Sequence, residues 1–234
     1  MSSILLTGGS GRLGFELKNL FDKNNIDYIA PSRDELNILD KWTIKKYANC
    51  SLIVHCAAYT DVSLAEHDKD VCYQVNVIGT RNLTELQIPM IYISTDGVFD
   101  GRKGNYMEVD YPRPINFYGL TKLLGEYESF RVPGVVIRTS FKPRPFEHSG
   151  ALVDQYTTSD YVDIMSNKIF KVIKNWDRFP RIIHVGSKKR SIYQLALQTN
   201  PNVYKITRDC LEVKLPHDIS LNTLLYDKLV QEID

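Results

Sequence analysis

The 234-residue sequence predicts a doubly wound, parallel α/β sheet, and three observations predict it. An apolar run at residues 3–7 passes directly into the glycine turn Gly8-Gly-Ser-Gly11-Arg-Leu-Gly14 and then into Leu13, Leu17, Leu20 and Phe21 at helical spacing. Three more β-rich apolar runs, at 51–57, 89–95 and 135–139, read as strands buried on both faces. Segments of helical period separate them, so strand and helix alternate as a parallel sheet requires.

Size and composition narrow the class. The chain is 43% hydrophobic and 24% charged, which suits one soluble globular domain. A net charge of +1 argues against a dedicated nucleic-acid or membrane surface. Cys50, Cys56, Cys72 and Cys210 form no CxxC and no metal-ligand spacing with histidine, so buried thiols in a reducing compartment and no metal site are expected. With no charged segment leading into an apolar stretch and no run long enough for a bilayer, a cytoplasmic protein is expected.

The first strand, turn and helix are the context of a dinucleotide fingerprint, here spaced GxxGxxG. Gly8 makes the tight turn, Gly11 lets the backbone approach a pyrophosphate, and Gly14 lets helix and strand pack; Arg12 and Leu13 lie between them. The fold expected is therefore Rossmann-type. A second strand at 26–30 is followed by Pro31-Ser32-Arg33, where an acidic residue would select the ribose hydroxyls of NAD. None ends this strand. Ser32, Arg33 and Arg12 are suited to a 2′-phosphate instead, so NADP(H) is preferred; Asp34 and Glu35 come next and keep NAD(H) possible. Asn37 completes the expected cofactor set on this side.

A helix at 41–48 leads to the strand at 51–57, whose end carries Ala57, Ala58, Tyr59 and Thr60. Small residues there admit a flat nicotinamide ribose, and Tyr59 and Thr60 are placed to meet cofactor or substrate. A helix at 68–86 follows. Its Asn76 is either exposed or held by a hydrogen-bond network. After the strand at 135–139, residues 140–158 have no sustained period, the mark of a binding loop or lid. Helices at 160–176, 191–198 (Ser191 as N-cap) and 221–233, with a short strand at 181–185, complete the chain. Leu224, Leu225 and Leu229 form an expected core stripe, and Lys188-Lys-Arg190 reads as a solvated turn.

The chemistry centres on residues 94–122. Thr95 ends the strand at 89–95, at the edge where open α/β sheets keep their sites. Tyr118 and Lys122, at i and i+4, share one face of a helix at 118–130. An ammonium one turn away should lower the phenol's pKa, and Thr95 can hold a carbonyl oxygen against the tyrosine. This is a constellation for carbonyl reduction or alcohol oxidation.

The motifs TGGSGRLG, CAAYTDVSLAE (56–66), VNVIGTRNL (75–83), ISTDGVFDG (93–101), NFYGLTKLLGE (116–126) and VIRTSF (136–141) occur in the order seen in extended short-chain dehydrogenase/reductases. The chain most resembles the dTDP-4-dehydrorhamnose reductases and related sugar-nucleotide reductases, strongly over 3–141 and again at Leu215-Pro-His-Asp-Ile-Ser-Leu-Asn222. The resemblance implies Thr95, Tyr118 and Lys122 as catalytic triad. It implies Gly8, Gly11 and Gly14 at the pyrophosphate, Arg33 near the adenosine ribose, and Ala57, Ala58 and Thr60 along the cofactor. Tyr59, Asp96, Gly97 and Phe141 fall at substrate-side positions. The implied reaction is hydride transfer from NAD(P)H to a keto group of a 4-keto-6-deoxy nucleotide sugar, with Tyr118 as proton donor. Gly97 stands where the reductases carry Tyr and the 4,6-dehydratases a Glu, which disfavours dehydration. Leu64, Phe141 and Leu215 replace the family's Lys, Trp and Arg, and the part between Phe141 and Asp160 is shortened.

The expectation is therefore a single domain over 1–234 with a reduced C-terminal substrate-binding lobe within about 141–180 and 200–234. It reduces a nucleotide-sugar ketone. The alternatives are a non-catalytic cofactor-binding regulatory subunit, or an epimerase or dehydratase that re-oxidises its own cofactor. A homodimer through the helices at 71–86 and 118–130 is possible.

Overall fold

The computed structural model describes residues 3–233. Its first half contains β1 (Ile4–Thr7), β2 (Tyr28–Ile29), β3 (Leu52–His55), β4 (Met90–Thr95) and β5 (Gly134–Thr139). Between them run α1 (Arg12–Lys23), α2 (Lys41–Lys45), α3 (Lys69–Tyr73), α4 (Gly79–Thr84) and α5 (Phe117–Ser129). The second half adds β6 (Phe141–Lys142), β7 (Gly150–Leu152), β8 (Tyr156–Thr157), β9 (Asp160–Tyr161), β10 (Ile182–His184), β11 (Arg190–Ser191) and β12 (Tyr204–Ile206). Its helices are α6 (Val162–Lys174), α7 (Ile192–Ala196) and α8 (Leu224–Gln231).

Six strands form the main sheet in the order β10-β5-β4-β3-β1-β2, every pair parallel. The chain starts in the middle, adds β2 on one side and then crosses to β3 on the other. The strand order therefore reverses between β1 and β3, which opens a crevice at their carboxyl ends. This is the doubly wound, Rossmann-type sheet that the sequence predicts. Successive residues of each strand face opposite cores, as a period of two requires. Leu6, Val54 and Ile137 meet α1, α6 and α8 through Leu17, Phe21, Ile169 and Tyr226. Leu5, Ile53 and Val136 meet Ile44, Leu83 and Tyr92 in the other core.

A lobe covers the crevice, built from three two-stranded pairs: β6 with β9, β7 with β12, and β8 antiparallel to β11. Phe146, Leu152, Tyr161, Ile192, Leu195 and Val203 give it a core of its own. Its division from the sheet differs from expectation. Residues 162–174 flank the sheet, because Met165, Ile169 and Phe170 pack into the main core, whereas residues 190–196 belong to the lobe.

Three local expectations need correction. The helix at 68–86 is divided, with Gln74–Ile78 widened to π geometry between α3 and α4. Of the stripe expected on the last helix only Leu229 packs into the core, with Tyr226, Val230 and Ile233, while Leu224 is 73% exposed. Lys188-Lys-Arg190 is not merely a solvated turn: Lys189 pairs with Asp218 and Arg190 with Asp160, pinning β11 to the lobe. Ser191 does cap α7, in a full capping box with Gln194. Cys50 and Cys72 are buried, Cys56 is half-buried, and Cys210 is exposed, against the expectation for it. Among the described residues no His/Cys/Asp/Glu group is arranged for a metal, and no helix is long and apolar enough to cross a membrane.

Candidate active site

The crevice opens into a cleft of about 1420 Å³ between the sheet and the lobe. All the residues expected from the sequence at catalytic, cofactor and substrate positions line it. Gly8, Gly11, Arg12, Leu13, Gly14, Ser32, Arg33 and Asn37 form one end, and Ala57, Ala58, Tyr59 and Thr60 the middle. Thr95, Asp96, Gly97, Tyr118, Lys122 and Phe141 lie at the other end.

Gly8 makes its turn at φ +71°, with β3 so close that a Cβ would stand 2.6 Å from Ala57 N. At Gly14 a Cβ would stand 2.2 Å from Gly8 O, so only glycine lets α1 start this near the turn. Gly11 caps α1 without a side-chain hydrogen bond, leaving first-turn N–H groups toward the cleft, the usual seat of a phosphate. At the β2 end, Ser32 N donates to Glu35 Oε2 at 2.8 Å and Glu35 N to Ser32 Oγ at 3.3 Å. Glu35 is thus turned back on its own loop. Neither it nor Asp34 lines the cleft, whereas Ser32 and Arg33 do. These residues fit a dinucleotide bearing a 2′-phosphate. Arg12 lies beside the turn and is paired with Glu147 of the lobe at 2.7 Å.

Asn76 is buried in the π-widened turn. Its Oδ1 accepts from Tyr59 N at 2.8 Å, and its Nδ2 donates to Tyr59 O at 3.1 Å and Thr121 Oγ1 at 3.0 Å. Thr121 in turn donates to Tyr118 O at 2.8 Å. The loop after β3 and the first turn of α5 are thereby held to one helix, as π turns at functional sites often arrange. Asn116 caps α5 through Gly119 N at 2.8 Å, and Glu66 Oε1 accepts from Phe117 N at 2.7 Å.

At the end of the cleft that holds Tyr118, Thr95 Oγ1 accepts from Gly97 N at 3.0 Å and donates to Asp96 Oδ1 at 3.3 Å. Asp96 Oδ2 accepts from Thr157 of the lobe at 2.6 Å. Burial raises the Asp96 carboxyl to about 6, against hydrogen bonds from Thr157 and Thr95 and the charge of Lys142. Lys122 Nζ donates to Ile93 O at 2.7 Å and stands 4.2 Å from the Tyr92 ring centre; burial lowers its pKa to about 8, while Glu126 opposes the fall. The Tyr118 pKa is raised, first by burial and further by Asp96, with the Thr95 hydroxyl opposing. This corrects the expected lowering by Lys122, whose ammonium is committed to strand β4. Tyr118 remains a phenol at neutral pH, the form that donates a proton.

Three contributors escaped the sequence reading. Thr139, in register with Thr95, lines the cleft with a buried hydroxyl unpaired among the described residues. Behind the site, Arg138 donates to both oxygens of Glu126, at 2.9 and 2.8 Å, and Ser94 donates to the same carboxylate at 2.5 Å. Lys142 faces the cleft beyond Phe141. An arginine inside a strand-like run was the one sequence signal for the second.

The family described as RmlD substrate binding domain matches residues 1–141. The chain belongs to this family. A dTDP-4-dehydrorhamnose reductase of Aggregatibacter actinomycetemcomitans is 36% identical over 152 residues, covering 60% of the chain and 52% of the relative. Methionine adenosyltransferase 2 subunit beta of Bos taurus is 35% identical over 137 residues, covering 53% of the chain and 41% of the relative. The chain thus spans about half the length of the curated relatives it matches. In three dimensions it is similar to a dTDP-4-dehydrorhamnose reductase from Bacillus anthracis in complex with NADP, at TM-score 0.82 and 25% identity, covering 97% of this chain and 92% of that one. That likeness extends through the lobe, beyond the 141 residues of the family match.

Proposed function

We propose that this RmlD-family chain is an NADPH-dependent reductase of the keto group on a nucleotide-activated 4-keto-6-deoxy sugar. The observation that supports it most is the placement of Thr95, Tyr118 and Lys122 together in the cleft that the glycine turn opens. Bound NADPH would supply the hydride. Hydride arrival turns the carbonyl oxygen into an alkoxide, and the Tyr118 phenol is the acid within the site that can protonate it. With Gly97 N and Asp96 already bonded to its hydroxyl, Thr95 orients rather than titrates. Lys122, anchored on Ile93 O, would hold the ribose of the bound cofactor. Ser32 and Arg33 favour the 2′-phosphate, so NADPH over NADH, as the NADP complex of the Bacillus anthracis reductase also favours. Reduction without dehydration fits Gly97, which offers no base and whose backbone would accept a side chain: a Cβ there meets only Thr95, at 3.3 Å.

Tyr118→Phe is expected to lower turnover about 10² to 10⁴-fold, with NADPH affinity within twofold of wild type. Undiminished turnover in that variant defeats the proposal. A second reading, a non-catalytic cofactor-binding subunit, is favoured by the similarity to methionine adenosyltransferase 2 subunit beta. NADPH binding without turnover on any sugar nucleotide would select it. Val71, Leu120 and Tyr127, exposed on α3 and α5, support a homodimer through these helices, to be checked by light scattering.

A further inference from the structure

Four cations line the cleft: Arg12, Arg33, Lys122 and Lys142. Three have places that account for them. Arg33 stands at the β2 end beside Ser32, Arg12 is paired with Glu147 next to the glycine turn, and Lys122 donates to Ile93 O. Lys142 differs. It is half-buried on β6, where the sheet gives way to the lobe, and its ammonium makes no hydrogen bond or ion pair among the described residues. Burial lowers its pKa, the charge of Asp96 opposes this, and that of Arg12 adds to it.

Among the described residues, the lobe's side of the cleft supplies no other lysine or arginine, and His148 is its one other basic group. Leu152, Ile206, Leu211 and Val213 are apolar, Gln155 is committed to Pro216 O at 3.2 Å, and Thr157 is committed to Asp96. Such a wall covers a base or a sugar face but leaves phosphates without a counter-charge. A free, half-desolvated ammonium at its inner edge meets that need, because burial strengthens each hydrogen bond from a charged donor. A carboxylate on the reacting sugar would lie against Asp96, a like charge, whereas a group further into the lobe would not.

On the reading of the site as a sugar-nucleotide reductase, we propose that Lys142 binds the diphosphate linking sugar to nucleoside and so sets the position of the keto carbon against Tyr118. The residue selects for nucleoside diphosphate esters over free or monophosphorylated sugars.

The test is calorimetric titration of the NADPH-saturated protein with UDP and dTDP, and with the matching nucleosides, in wild type, Lys142→Met and Lys142→Arg. Lys142→Met is expected to weaken the better diphosphate at least tenfold, with nucleoside and NADPH affinities within twofold of wild type, and Lys142→Arg is expected to restore most of the loss. A wild-type protein that binds neither diphosphate, a diphosphate affinity unchanged in Lys142→Met, or a loss that appears in NADPH or nucleoside binding instead overturns the assignment. Turnover separates the two claims. Sugar-nucleotide reduction that persists with Lys142-independent diphosphate binding removes the assignment and keeps the reductase. Lys142-dependent diphosphate binding without reduction of any 4-keto sugar does the opposite.

Discussion

At the scale of single residues, the catalytic end of the cleft is a set of groups whose charge states are set by burial. Asp96 shows the consequence for stability. Its carboxyl is raised from 3.8 to about 6 in the folded protein, so the native state holds the proton more tightly than the unfolded chain. The native state is favoured below pH 3.8, and that advantage is lost as pH rises through 6; at pH 8 the ionised, buried carboxylate costs roughly 3 kcal/mol at most. Asp96→Asn removes this cost. Urea titrations of both proteins at pH 4 and pH 8 should show the variant gaining by roughly that amount between the two, and a pH-independent difference would contradict the assignment. The sequence offered Thr95, Asp96, Tyr118 and Lys122 as chemistry because their types and spacing are local. It gave no sign that Lys122 is spent on Ile93 O, because that contact crosses from helix to strand. Asn76 is the intermediate case: its burial cost was legible, its three partners were not.

At the scale of elements, the site rests on the contact between β4, β5 and α5. Glu126 and Arg138, 2% and 3% exposed in their side chains, join α5 to β5, and Ser94 adds β4 to the same carboxylate. Arg138→Met leaves Glu126 without its main partner in the interior and should cost about 3–5 kcal/mol. The double variant Glu126→Leu, Arg138→Met should cost clearly less, since neither charge is stranded. Denaturant midpoints of the two variants test this, and equal losses would show that the pair acts through packing alone. Long elements were readable from period: α1, α5, α6 and the strands β1, β3, β4 and β5 fall within a few residues of the expected spans. The lobe was not, because strands of two or three residues are too short for a period of two to be seen against chance. The last helix was located to within three residues, but Leu224 and Leu225 of its expected stripe face outward, and Leu221 packs instead with Phe99 and Tyr106.

At the scale of the whole molecule, two buried histidines tie the fold to pH. His55 lies between Thr7 Oγ1 at 2.7 Å and Thr80 Oγ1 at 3.1 Å; His184 takes Tyr106 O at 3.0 Å. Burial lowers each to about 3, with the Lys122 charge adding at His55 and the Arg138 charge at His184. Each is neutral when folded and protonates when unfolded, so the stability it preserves above pH 6.5 is lost as pH falls toward 3. Relative to His55→Gln, the wild type should lose about 1.4 kcal/mol between pH 7.5 and pH 5.5, read from urea unfolding at the two values; parallel curves would contradict it. That the sheet is parallel followed from alternation of strand and helix, whereas its strand order, and with it the reversal between β1 and β3 that opens the cleft, is seen only in the structure. The proposed transfer of hydride from NADPH to a sugar carbonyl in this cleft is read by isotope labelling. The protein is incubated with NADPH deuterated at the transferable position and a panel of 4-keto-6-deoxy nucleotide sugars, and the sugar is examined by mass spectrometry and NMR. The predicted result is deuterium at C4 of one product, absent with Tyr118→Phe. NADPH that binds while no sugar gains deuterium, or deuterium transferred equally well by Tyr118→Phe, would contradict it.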